Sequence, residues 1–315
     1  MKNLQKLAPA ALAICLAACG GEPPEALPKG TVGLRITSEV PSKVKADRIS
    51  VIPNDVAPWI SQILLLADGQ LYRTTANGGQ AQAVNGGTLK DMVGLMRKGE
   101  AGTVLTLTRE GKLSAMIEKD DEGRLARMNV SAKSENYDGF CQGYTAPSDT
   151  VYAYSGKTLV TLGISYESDS LMRVERLETQ NSPKPITSCL MAENLSLIVS
   201  GGELYVNGAS AGRVGDTVSG LGALSVKSTP TLVYVDGDTL IGARQANPDL
   251  KSKVVIEDGL SVMGTKNISH TFTTGDSLGG TFNEGAVILQ DSSSDRLILV
   301  ARPFAQQALS KAPKK

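Results

Sequence analysis

Apolar runs along this chain are short, and most are broken by Gly, Asn, Asp or Ser before they reach helical length. They are rich in Val, Ile, Leu, Thr and Tyr, which suit a pleated, half-buried surface. One arrangement recurs: an apolar strand, a tight turn containing Gly or Asp, then a strand opening near Leu. It appears as ILLLADGQLYRT (63–74), VLTLTREGKLSAMI (104–117), VYAYSGKTLVTLG (151–163), LSLIVSGGELYVNG (195–208), TLVYVDGDTLIGAR (231–244) and VILQDSSSDRLILVA (287–301). Further strands are predicted over TVGLRITS (31–38), DRISVI (47–52), RLARMNVSA (124–132) and LMRVERLE (171–178).

The turns centre on Gly69, Gly111, Gly156, Gly201, Gly237 and Ser292, so successive spacings are 42, 45, 45, 36 and 55 residues, about 45 on average. That is the repeat length of a four-stranded propeller blade. The span from Thr31 to Arg302 holds about six such periods. The predicted fold is therefore all-β: a β-propeller of six blades over residues 31–303, with seven as the alternative. Its N-terminal strand TVGLRITS completes the last blade and closes the ring, which removes exposed sheet edges. The segment LLLADGQLYRTTANGGQAQAV resembles the repeats of YWTD-like and TolB-like propellers, where a Leu-Tyr-Arg strand precedes a Gly-Gly turn. WD40 and PQQ-type repeat signatures are not evident.

Composition narrows the function classes. The 32 basic residues balance 32 acidic ones, which argues against a nucleic-acid partner held by counterion release. A single His leaves little room for a multi-histidine metal site, and neither a metal nor a cofactor is predicted. The hydrophobic fraction of 41% is ample for a packed core.

The first residues combine Lys2 and Lys6 with an apolar run from Leu7 to Leu16, followed by Leu16-Ala17-Ala18-Cys19-Gly20. This has the build of a signal peptide over residues 1–18. The Leu-Ala-Ala-Cys tetrapeptide resembles the lipobox of bacterial lipoproteins; an ordinary secretory signal is the alternative. The resemblance implies a diacylglyceryl thioether on Cys19, cleavage before it, and acylation of the new amino terminus, so that the chain is held to a membrane through Cys19. Gly20 stands where Asp signals inner-membrane retention in such lipoproteins. The resemblance thus implies the outer membrane, with the chain facing the periplasm in preference to the cell surface. Residues 19–30, rich in Gly, Pro and charge, are predicted to form a flexible tether, and residues 304–315 a C-terminal tail that starts as a short helix.

With Cys15 in the signal and Cys19 lipidated, Cys141 and Cys189 remain. Two thiols in an oxidising compartment predict a disulfide, with two separate buried thiols as the alternative. They precede their unit's turn by 15 and 12 residues, so the bond would staple adjacent blades.

Candidate chemistry is sparse. Gly208-Ala209-Ser210-Ala211-Gly212 matches the G-x-S-x-G elbow, and His270 follows it, but strand and turn residues follow Ser210 where an elbow needs a helix. Ser42-Lys43-Val44-Lys45 fits S-x-x-K without the Lys-Thr-Gly that accompanies it. Glu118 to Gly123 and Asp236-Gly237-Asp238 read as hairpin turns in preference to Ca²⁺ ligands, and Gly220-Leu221-Gly222 lacks a dinucleotide-loop setting. His270 reads as a strand residue, with a channel-facing position as the alternative. Trp59 reads as a cover over one end of the core, with a partner anchor as the alternative. No catalytic residue is assigned. The expected role is a binding or scaffold module for a protein or glycan, such as an outer-membrane assembly accessory. Its rivals are an envelope hydrolase or lyase with a carboxylate-lined channel, or with Ser210 and His270, and a surface lipoprotein acting in exclusion or adhesion.

Overall fold

The computed structural model describes residues 27–96, 101–120, 123–226 and 230–311. The signal peptide, Cys19 and the first part of the tether lie outside the described residues. Two strands, β1 (Thr31–Arg35) and β2 (Ser38–Val40), precede a first antiparallel run of β3 (Arg48–Ile52), β4 (Gln62–Ala67), β5 (Gln70–Thr75) and β6 (Gln82–Val84). The second run is β7 (Leu89–Leu95), β8 (Thr103–Thr108), β9 (Leu113–Glu118) and β10 (Leu125–Ala132). Short strands β11 (Gly139–Phe140) and β12 (Gln142–Gly143) lead into β13 (Thr150–Ser155), β14 (Thr158–Ser168) and β15 (Leu171–Asn181). A fourth run comprises β16 (Ile186–Ala192), β17 (Leu195–Ser200), β18 (Glu203–Val206) and β19 (Ala209–Arg213). A fifth comprises β20 (Val218–Ala223), β21 (Leu232–Asp236), β22 (Thr239–Ala243) and β23 (Lys251–Glu257). The chain ends with β24 (Ile268–Thr274), β25 (Ala286–Asp291), β26 (Arg296–Ala301) and helix α1 (Arg302–Ser310).

All six predicted strand-turn-strand units form antiparallel hairpins: β4–β5, β8–β9, β13–β14, β17–β18, β21–β22 and β25–β26. Turn chemistry explains them locally. Between β4 and β5, Asp68 and Gly69 both take positive φ (49° and 77°), the backbone hand that matches strand twist in a two-residue hairpin.

The strands pair into five sheets. The largest has eight strands, in the order β11-β13-β14-β15-β10-β9-β8-β7, joined at its middle by the parallel pairing of β10 with β15. Its end strands β7 and β11 pack against each other, so the sheet curls almost closed. Leu105, Leu107, Val160, Leu162 and Met172 fill the interior. Strands β3, β7 and β11 pack side to side in sequence, the chain passes through Cys141 from β11 into β12, and β12, β16, β20 and β24 continue the series, with β24 returning to β3.

Hydrophobic clusters separate the successive sheets. One packs Ile63 and Leu65 against Ile288 and Leu299, and another Leu64 and Leu66 against Val104 and Met116. Others join Leu197 to Leu221 and Tyr234, and Val233 and Val235 to Val287 and Val300. Because both faces of a sheet meet such clusters, β4 (QILLLA) and β25 (AVILQD) are buried at every position. Strands covered on one side only would alternate instead.

The N-terminal segment departs from expectation. TVGLRITS splits: β1 pairs in parallel with β23, placing Val32 and Leu34 beside Val254 and Ile256, and only β2 pairs with β26. Val40 then enters a different core, and the Glu39 carboxylate accepts from the Arg296 guanidinium. The C-terminal segment starts as the expected short helix, and that helix is packed against the sheets. Helix α1 buries Ala305 and Leu309, one helical turn apart, because Gly242 lacks the Cβ that would meet Leu309 Cδ2 at 2.4 Å.

Candidate functional site

The strands that pack side to side enclose a cavity of about 50 Å³, lined by Arg48, Asp91, Gln142, Tyr154, Ser219 and His270 among others. Their approach is set by glycine and by side chains that bond to backbone. A Cβ on Gly94 of β7 would lie 2.0 Å from the Val51 carbonyl oxygen of β3, and one on Gly220 of β20 would lie 2.1 Å from that of Thr271 in β24. Only glycine permits either contact. At these seams Gly94 N–H donates to Ser50 Oγ (2.9 Å) and Ala223 N–H to Thr273 Oγ1 (3.0 Å). Ser219 Oγ donates to the Ser269 carbonyl (2.6 Å).

Asp91 is the most heavily engaged charge lining this cavity. Its Oδ2 accepts from Phe140 N–H and its Oδ1 from Met92 N–H, both at 2.8 Å, and Arg48 Nε stands 3.7 Å from Oδ1. Burial holds its pKa above the usual carboxylate value, against the pull of Arg48 and the two amides. Burial, and then the Asp91 charge, push the Tyr154 phenol up to about 12. Asp276 accepts from Ala146 N–H (2.7 Å) and Thr274 Oγ1 (2.8 Å), and burial raises its pKa too.

His270 lines this cavity, 2% exposed, and neither ring nitrogen has a hydrogen-bond partner. A register shift between Ile268 and His270 turns the side chain at this point of β24. Burial, and then Arg48, pull the imidazole down to about 3, so it is neutral at ordinary pH. Gln142 Oε1, on the same wall, also lacks a partner. The space suits a few ordered waters, which such orphaned groups recruit, and is far below the ~300 Å³ of a typical substrate pocket.

The other sequence candidates stay apart. Ser210 is exposed on β19 and donates to Glu203 Oε1 (2.6 Å), so it makes no pair with His270. The Ser42 hydroxyl is buried and donates to the carbonyls of Asp295 (3.0 Å) and Val44 (3.3 Å), while Lys45 is exposed. Glu118 accepts from Gly102 N–H, and Asp120 pairs with Arg124 across its turn; Asp121 and Glu122 lie outside the described residues. Asp236 accepts from Thr217 Oγ1 beside its hairpin. No group of three or more metal-ligating side chains occurs among the described residues. Trp59 does not cover the core: it is 61% exposed, because the Pro58–Ile60 turn packs by its backbone against Gly279 and leaves the indole outside.

Sequence reasoning missed Asp91, Arg48 and Ser50. The available signal was an Asp that, after Lys90, opens onto the apolar run Met92 to Leu95 within the strand LKDMVGL. A disulfide joins Cys141, beside β11, to Cys189 in β16, with Tyr154, Leu159, Ile186 and Ile198 packed around it. No helix among the described residues is long and apolar enough to cross a membrane. Compared with known proteins, the chain matches no protein-family model and no curated protein.

Proposed function

We propose that this chain is a lipid-anchored bacterial envelope protein whose six β-units form a propeller ring, and that it works as a binding or scaffold module for protein or glycan partners. The side-to-side circuit from β3 to β24 and back supports the ring, as do the hydrophobic clusters between neighbouring sheets. In that reading β2 completes the last blade beside β26. The eight-stranded sheet is two blades whose outer strands, β10 and β15, have paired. The anchor is the lipid on Cys19, and the outer membrane is its site.

One observation carries the choice of binding over catalysis: the central cavity holds only about 50 Å³, and its best-placed carboxylate, Asp91, is committed to two backbone amides. A channel hydrolase needs room for a substrate and a carboxylate free to exchange protons. Binding instead falls to the connecting loops, which a rigid scaffold can present without disturbing its core. The test is in vivo crosslinking of the anchored protein from the turns at Gly69, Gly156 and Gly237, with mass spectrometry of the captured species. A reproducible envelope protein or glycan, lost when the turn residues are replaced, supports the scaffold. Turnover of an envelope polymer by the purified chain, with no captured partner, overturns it.

A further inference from the structure

We infer that one end of the strands rests on the lipid surface, seated there by Trp59 and its apolar neighbours, so that the hairpin turns point away from the membrane. This rests on the reading of Cys19 as lipidated. Eight exposed large hydrophobic side chains occur among the described residues. Val56, Trp59, Ile60 and Phe304 lie on connections at this end, Leu27 stands where the chain reaches β1, and Leu260 lines a groove with Phe304.

The strand directions place them. Val56, Trp59 and Ile60 precede β4, whereas the Asp68-Gly69 turn follows it. Phe304 follows β26, whereas the turn starting at Ser292 precedes it. Six residues of strand separate the two ends, roughly 20 Å. The two parts adjoin through the β24–β25 connection: Gly279 abuts the Trp59 backbone, and Thr281 lines one groove with Phe304 and Leu260.

The chain also enters the fold at this end. Thr31 begins β1 opposite Lys253, near the start of β23, and β23 runs toward the end where Asp238 accepts from Ile268 N–H. Leu27 lies eight positions beyond Cys19, a reach of at most about 28 Å even when fully extended. A tether that short keeps the Trp59 end at high effective concentration near the bilayer, so modest apolar contacts suffice to seat it. The connections concerned carry both signs of charge, Lys29 and Lys311 as well as Asp55 and Glu284, so no strong single-sign charge drives the contact. The occupant is therefore the headgroup boundary, where an indole with aliphatic neighbours is favourably placed.

Trp59 is the sole tryptophan, so its fluorescence reports this position alone. The test uses the full lipidated protein reconstituted in phosphatidylcholine vesicles, with and without brominated acyl chains. Mass spectrometry of the N-terminal peptide establishes the lipid separately. The expected result is blue-shifted emission that brominated chains quench, with Val56→Asp plus Phe304→Asp shifting it back to red and relieving the quenching. Both replaced side chains are exposed, and an unchanged thermal unfolding curve checks the fold. Lipid on Cys19 with water-exposed Trp59 emission overturns this inference alone. Blue-shifted emission that brominated lipid leaves unquenched also overturns it, since a protein or a second copy then covers the patch. A chain without lipid on Cys19 overturns both readings.

Discussion

Asp91 and Phe140 are joined across a seam between β7 and β11, the carboxylate Oδ2 accepting the Phe140 amide at 2.8 Å. The two strands end the eight-stranded sheet, so this bond helps hold the curled sheet shut. The same carboxylate satisfies Met92 N–H and faces Arg48. Asp91→Ala leaves two buried amides unanswered and removes the carboxylate that faces the part-exposed Arg48, which is expected to cost roughly 2–4 kcal/mol. Asp91→Asn keeps one good acceptor and should lose about half as much. Urea unfolding measures both, and a loss below about 0.5 kcal/mol for Asp91→Ala would show that the seam does not depend on this bond.

A methyl group is enough to probe the neighbouring seam. Gly94→Ala forces a Cβ to within 2.0 Å of the Val51 carbonyl oxygen, and backbone on both sides must then move apart. Overpacking of this kind costs roughly 1–3 kcal/mol, and the Gly94-to-Ser50 bond weakens with it. Gly79→Ala, with nothing within 4 Å of its new Cβ, serves as the control and should stay within about 0.5 kcal/mol of the parent. Equal unfolding midpoints for the two variants would contradict the close approach of β3 and β7.

What the sequence disclosed follows from the range of the interactions. Hairpins were legible because Asp68-Gly69 and Gly201-Gly202 set their own backbone hand, independently of anything distant. The seams were not, since Ser50 meets Gly94 and Asp91 meets Phe140 at separations of 44 and 49 residues, and no local pattern announces either pair. The split of TVGLRITS had no local marker either. Val32, Leu34 and Val40 alternate as one strand would, yet they serve two sheets because Ile36 and Thr37 carry the chain from Glu257 to Leu299. Trp59 misled for a related reason: its hydrophobicity suggests burial, but the Pro58–Ile60 turn is fixed through its backbone.

The Cys141–Cys189 bond closes a loop spanning 48 residues of sequence. On the chain-entropy account, a loop of that length contributes roughly 3–4 kcal/mol by restricting the unfolded chain. Cys141→Ser plus Cys189→Ser should lower stability by that amount in urea while keeping the strand signal in circular dichroism, since Tyr154, Ile186 and Ile198 still pack around the site. Near-equal stability with and without the bond would place the stabilisation elsewhere in that cluster.

His270 makes stability depend on pH in a direction that can be worked out. Its imidazole titrates near 6.5 in the unfolded chain and is pulled down to about 3 in the fold by burial and then by Arg48. Between those values the unfolded state binds a proton that the native state refuses. Stability therefore falls as pH drops from about 6.5 toward 3, with a limiting slope of about 1.4 kcal/mol per pH unit. Asp91, whose pKa burial raises, acts with the opposite sign in part of this range, and Asp291, held down to about 2 despite burial by Ser293, Ser294 and Arg296, loses its contribution as pH falls from about 3.8 toward 2. Comparison with His270→Leu removes those shared contributions, because both carboxylates remain. The stability of the Leu variant relative to the parent should climb steadily as pH is lowered through this window and stay flat above pH 7. A pH-independent difference would mean that the ring nitrogens accept a proton as readily in the fold as outside it, which a buried imidazole beside Arg48 does not allow.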